Sequence, residues 1–132
     1  MLNVLLSTVS YILIAFPLAV GWHVGLFKEK YQGFGYFDGE PNIPVGLATI
    51  VIQGFALALI YPLFHAGSAG AVRALLFVGL MGLFFWTSHV LALVAKQNVP
   101  NAGAFVALET LYLVIQFGLY AVALFTIFPG AR

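Results

Sequence analysis

The stretch Ala102–Phe128, AGAFVALETLYLVIQFGLYAVALFTIF, decides the fold, because it is a long apolar run with a single formal charge, Glu109. At about 1.5 Å per residue such a run reaches about 40 Å as a helix, more than the hydrocarbon core of a bilayer, which is about 30 Å thick. A membrane barrel of this size would show short alternating segments instead. Pro129 and Gly130 stop the run.

Three more runs of the same kind precede it. Leu2 to Phe27 ends at Lys28, Glu29 and Lys30; Ile43 to His65 leads into a turn over Ala66 to Gly70 and Arg73; Ala74 to Ala95 is closed by Lys96, Gln97, Asn98 and Pro100. The pattern predicts four spans, over 2–27, 43–65, 74–95 and 102–128, in one transmembrane domain covering 1–132. Short connections make neighbouring spans antiparallel, so the fold class is all-α, an integral membrane four-helix up-and-down bundle. Both termini then share one side, face A; the opposite side, face B, carries the first and third loops.

The composition agrees. Of 132 residues, 63% are apolar and 7% charged, with a mean hydropathy of +1.07, whereas soluble domains carry about a quarter charged residues. Disorder is excluded by the same figures, and four spans leave no length for an extramembrane domain. A formal charge of +1 offers no surface for nucleic acid, and with no cysteine there are no disulfides, thiolate metal sites or thiol chemistry. The first run is too long for a signal peptide and lacks a basic residue ahead of it, so it is read as a retained helix. Face A carries Arg73 and Arg132 and no acid; face B carries Lys28, Lys30 and Lys96 together with Glu29, Asp38 and Glu40. On that balance face A is read as cytoplasmic. The first loop, Lys28 to Asn42, holds Tyr31, Phe34, Tyr36 and Phe37 and is expected to lie along the interface as an aromatic anchor.

Ionisable side chains inside a bilayer are costly and therefore point to function. Counting inward from the helix ends puts His23, His89 and Glu109, from three different spans, at one depth of about 6 to 10 Å below face B. The second span adds Thr49 and Gln53. On the fourth, Glu109, Tyr112, Gln116 and Tyr120 recur at spacings of three and four, one polar stripe facing the interior. Gly79, Gly82, Trp86 and His89 follow the same rhythm on the third span, as Gly46, Thr49 and Gln53 do on the second. Pro17 removes the donor for the Leu13 carbonyl and predicts a kink in the first span. Trp22 and Trp86 are expected to fill the core or meet lipid, and His65 to reach the interface at face A.

Several roles fit this buried cluster of His23, Thr49, Gln53, His89, Glu109, Tyr112 and Gln116. It can be a structural hydrogen-bond network. His23 and His89 resemble a bis-imidazole haem arrangement, and with Glu109 they form a two-histidine, one-carboxylate set suited to a single metal ion. A proton or small-ligand path can run from Glu109 along Tyr112, Gln116 and Tyr120. Alternatively the chain is an accessory subunit, packed in the bilayer against a larger membrane complex or against copies of itself. An enzyme is not expected, because no nucleophile and base pair stands outside the His and Glu cluster. The leading expectation is a non-enzymatic subunit or small-ligand-binding bundle.

The stretches FPLAVGWHVGLFKEKY, PNIPVGLATIVIQG with the later IYP, FFWTSHVLALVAK and LETLYLVIQFGLY resemble those of a group of small bacterial integral membrane proteins with four predicted helices and no assigned activity. The resemblance spans nearly the whole chain and includes His23, Gln53, His89, Glu109 and Gln116. It implies a four-span fold in a bacterial inner membrane and supplies no mechanism.

Overall fold

Continuous apolar sequence leaves the backbone no water to pair with, so each run satisfies its own N–H and C=O groups as a helix. The computed structural model describes residues 1–65, 67 and 69–129. Helix α1, Leu2–Ala19, continues as a π-helical stretch, Val20–Leu26. A short helix α2, Lys28–Gly33, opens the first loop. Helix α3, Ile43–Ile60, ends in a 3₁₀ turn, Tyr61–Leu63. Helix α4, Gly70–Trp86, passes through a second π-helical turn, Thr87–Leu91, into α5, Ala92–Lys96, and α6 covers Ala102–Ile127. The four continuous spans, Leu2–Leu26, Ile43–Leu63, Gly70–Lys96 and Ala102–Ile127, are each long and apolar enough to cross a membrane. Among the described residues there is no strand.

Helix starts follow local chemistry. The Asn42 side chain accepts the Val45 N–H at 3.1 Å ahead of Pro44 in the first turn of α3. Asn101 turns the chain into α6 with a left-handed φ of 51°. The disturbance expected from Pro17 takes the form of the π-helical stretch that begins three residues later at Val20.

The third span begins at Gly70, so Arg73 lies in the first turn of α4 rather than in the loop where the sequence placed it. It is 1% exposed. Its Nε donates to the Phe64 carbonyl at 2.8 Å, and its Nη2 donates to those of Tyr61 at 2.8 Å and Pro62 at 3.2 Å. These carbonyls lie at the end of the second span, where helical donors run out; among the described residues only that of Tyr61 also accepts a backbone N–H, from Phe64 at 3.1 Å, and a cation is drawn inward to complete the set. The guanidinium also lies 4.7 Å from the centre of the Tyr61 ring. His65 is exposed, as expected at an interface. Arg132, Gly130 and two members of the expected turn, Ala66 and Ser68, lie outside the described residues.

Close backbone approaches join α3 to α1, α1 to α6 and α6 to α4, giving a spatial order α3, α1, α6, α4. Helix α6 buries the broadest face, including Phe105, Leu113, Phe117 and Leu124. Gly54 lets α3 meet α1: a Cβ there would lie 2.9 Å from Tyr11 Cδ1 and 3.3 Å from the Thr8 carbonyl oxygen. Helices α3 and α4 make few close approaches to one another among the described residues. Arg73 ties them at face A, where Tyr61 packs edge-on against Phe77 and Phe128, each with ring centres 5.1 Å away. Leu13, Ile52, Leu83 and Val114 are among the exposed apolar side chains, as a lipid-facing surface requires.

Candidate functional site

Glu109, on α6, is fully buried. Its Oε2 lies 3.1 Å from His23 Nε2, its Oε1 lies 2.9 Å from His89 Nε2, and the Tyr31 hydroxyl donates to Oε2 at 2.5 Å. The three residues whose depth matched in the sequence therefore meet. Both histidines sit in π-helical turns, Val20–Leu26 and Thr87–Leu91. Such turns widen the helix by one residue and re-aim a side chain, and they recur at functional sites.

The proton count follows from the partners. His23 Nδ1 lies 3.0 Å from the Ala19 carbonyl, which only accepts, so that nitrogen carries a proton. His23 Nε2 is then either the donor of an imidazolium facing a carboxylate, or the acceptor of a proton held on Glu109. Both states use the same heavy-atom positions. His89 Nε2 stands between Glu109 Oε1 and the Tyr36 hydroxyl, 3.0 Å away on its other side. Trp22 Nε1 donates to the Tyr31 hydroxyl at 2.9 Å, which orients that hydroxyl's own proton toward Glu109.

Tyr31 and Tyr36 belong to the first loop, which the sequence placed along the interface as an anchor. That expectation is corrected: α2 folds the loop back under face B, and Tyr31 is completely buried. The physical reason is the carboxylate, which needs donors that the spans alone do not supply in full. Burial pushes both tyrosine hydroxyls well above the ordinary tyrosine range, and the adjoining Glu109 carboxylate pushes them further. They stay protonated, and Tyr31 donates to Glu109. An ion pair between Lys28 Nζ and Glu40 Oε1 and a hydrogen bond from Gln32 Nε2 to the Gly39 carbonyl at 3.1 Å close the loop on itself.

The other members of the expected cluster distribute differently. Gln116 Nε2 donates to the Tyr11 hydroxyl at 2.9 Å, and that hydroxyl donates to Gln53 Oε1 at 3.3 Å. Gln53 and Gln116 thus meet through Tyr11, a residue the sequence reading missed, one level deeper than Glu109. Nearer face A the Tyr120 hydroxyl pairs with Ser7 Oγ at 2.8 Å. Tyr112 is buried with its ring edge-on to His23, centres 4.6 Å apart. Thr49 is not buried: it is exposed, and its hydroxyl donates to its own helix at the Val45 carbonyl, 3.0 Å away. On α3 the inward face is Gly54, Leu57 and Ala58, which leaves Thr49 at the rim. The third-span stripe also divides. Gly79, Gly82 and Trp86 line an outer groove between α4 and α6, with the Trp86 Nε1 donating to Thr110 Oγ1 at 2.8 Å, whereas His89, within the π-helical turn, faces inward. Trp22 and Trp86 therefore both carry hydrogen bonds in addition to filling space.

A cavity of about 520 Å³ reaches both histidines that hold the carboxylate, lined from all four spans and by Tyr36 of the loop. His23, Gln53, His89, Tyr112 and Gln116 supply its polar wall. Its rim is formed by Gly46, Thr49, Phe84 and Ser88, all exposed, where α3 and α4 stand apart. Among the described residues no group of three or more His, Cys, Asp or Glu is arranged to hold a metal ion, and both Nε2 atoms that a bis-imidazole haem would use are turned onto Glu109.

Four apolar helices packed into one bundle define a small multi-pass membrane protein. Comparison with protein-family models, with curated proteins and with solved structures finds no match for the chain.

Proposed function

We propose that this protein is a non-enzymatic membrane bundle that binds a small ligand between its spans. The observation carrying this reading is the cavity against His23 and His89, with a volume within the range of ligand pockets, about 300 to 1,000 Å³. A network serving packing alone would close such a space, because helices gain contacts by filling it. The exposed rim between α3 and α4 offers entry from the lipid side. Native mass spectrometry after gentle extraction tests the reading. A stoichiometric small molecule is expected on the wild type and absent from Gly46→Leu, whose added side chain starts in open space on the cavity wall. Equal, empty spectra from both would sink it.

The shared proton between His23 and Glu109 favours a second reading, in which ligand movement is coupled to protons. Liposome flux above background for the wild type and lost in Glu109→Gln supports it; equal background flux in both removes it. On the strength of the resemblance in FPLAVGWHVGLFKEKY and LETLYLVIQFGLY, the same proposal places the protein in a bacterial inner membrane.

A further inference from the structure

The chemistry of the cavity wall narrows the ligand. Among the described residues, two polar atoms on that wall have room to donate and no partner in the protein: the Tyr112 hydroxyl and the Gln53 side-chain nitrogen, whose oxygen is taken by Tyr11. Two acceptors are likewise unpartnered: Gln116 Oε1, since Gln116 uses its nitrogen on Tyr11, and His89 Nδ1, whose Nε2 is turned onto Glu109. No buried side-chain nitrogen or oxygen among the described residues lacks a partner, so these four atoms are accessible, and all four belong to residues that line the cavity. Tyr112 is the most telling, because the residue is only 7% exposed and its hydroxyl is unsatisfied without a visitor.

Charge is the second constraint. The histidines on the wall already share the one carboxylate, and among the described residues no further Asp, Glu, Lys or Arg lines the cavity to balance an ionic guest. Burying an unbalanced charge there is costly. Access is the third, since a rim between α3 and α4 at membrane depth admits a molecule that travels in lipid. Shape is the fourth: Tyr36, Phe84, Phe85 and Tyr112 present aromatic rings to the space, which suits a flat ring.

Resting on the small-ligand reading above, we infer that the cavity takes a neutral, lipid-soluble, planar molecule bearing carbonyl acceptors, of the quinone class, with its oxygens on Tyr112 and Gln53. Binding alone is assigned.

The test is equilibrium binding to the full chain in lipid nanodiscs, with a decyl-substituted benzoquinone as probe and decanol, decanoate and decylammonium as matched probes. The quinone is expected to bind saturably, with affinity falling about tenfold in Tyr112→Phe and in Gln53→Leu, the loss per donor expected from about 1.4 kcal/mol. Saturable binding of decanol, decanoate or decylammonium in preference to the quinone, sensitive to Gly46→Leu, overturns the ligand class and leaves a small-ligand site standing. Failure of every probe, with no small molecule on the protein as extracted, overturns both. Quinone binding unchanged in Tyr112→Phe and Gln53→Leu, with both variants folded, also overturns the assignment.

Discussion

The two ends of the bundle solve the same problem differently. At face A, Arg73 satisfies three carbonyls of the second span and pulls α4 against it, and Tyr61, Phe77 and Phe128 fill the remaining space. At face B the corresponding polar demand comes from Glu109, met by two histidines and a tyrosine from a loop, and α3 and α4 stand apart around a cavity. A cation that pairs with backbone welds helices together. An anion that pairs with side chains holds them while leaving a space beside them.

The largest effect should come from breaking the closed end. Arg73→Leu strips donors from three carbonyls, each worth about 1 to 2 kcal/mol, and is expected to cost about 3 to 6 kcal/mol in unfolding measured in detergent micelles. Next, Glu109→Ala leaves two histidines and a tyrosine without their shared acceptor and should cost about 3 to 5 kcal/mol, while Glu109→Gln, which keeps an acceptor, costs clearly less. If Glu109→Ala proved the milder of the two Ala and Gln changes, the shared-acceptor account would fail. Gly54→Val should cost about 1 to 3 kcal/mol by driving a branched side chain into Tyr11 and the Thr8 backbone, since a Cβ alone would lie 2.9 Å from Tyr11 Cδ1 and 3.3 Å from the Thr8 oxygen.

Smaller again is Tyr31→Phe, at about 1 kcal/mol near neutral pH. Its pH dependence has a definite sign. The Tyr31 hydroxyl is held above the ordinary tyrosine value by burial and by Glu109, so its contribution is fully present below about pH 10 and is lost as pH rises beyond it, because the unfolded chain then gives up the proton first. Unfolding of wild type and Tyr31→Phe followed from pH 8 to 11 should therefore show the wild type losing stability more steeply. Parallel curves would return Tyr31 to a packing role.

Much of this was legible in the sequence. Span count came from apolar length, and the meeting of His23, His89 and Glu109 came from counting residues inward from helix ends, since depth along a rigid helix is fixed by its rise. Rotation about the helix axis was less secure. Thr49 fell at the rim because α3 is oriented by Gly54 against Tyr11, a contact between two distant segments that periodicity in one of them does not encode. The loop tyrosines were misplaced for a related reason: aromatic residues after a span carry the same signature whether they meet lipid headgroups or fold back onto a carboxylate. Arg73 beside glycines and alanines looked like a loop charge, because its partners are backbone carbonyls, invisible to composition.

The π-helical turns have a consequence for chain length. Each one adds a residue to a helical turn, and deleting a residue from Val20–Leu26 or Thr87–Leu91 would let the span relax into a plain α-helix. The segments on either side would keep their phase, and the residues of the turn itself would be re-aimed. His23 or His89 would survive in the sequence and point elsewhere. Single-residue deletions in these two short windows should therefore abolish the site as thoroughly as replacing the histidines, whereas the loop over Gly35–Gly39 has no helical turn to re-aim.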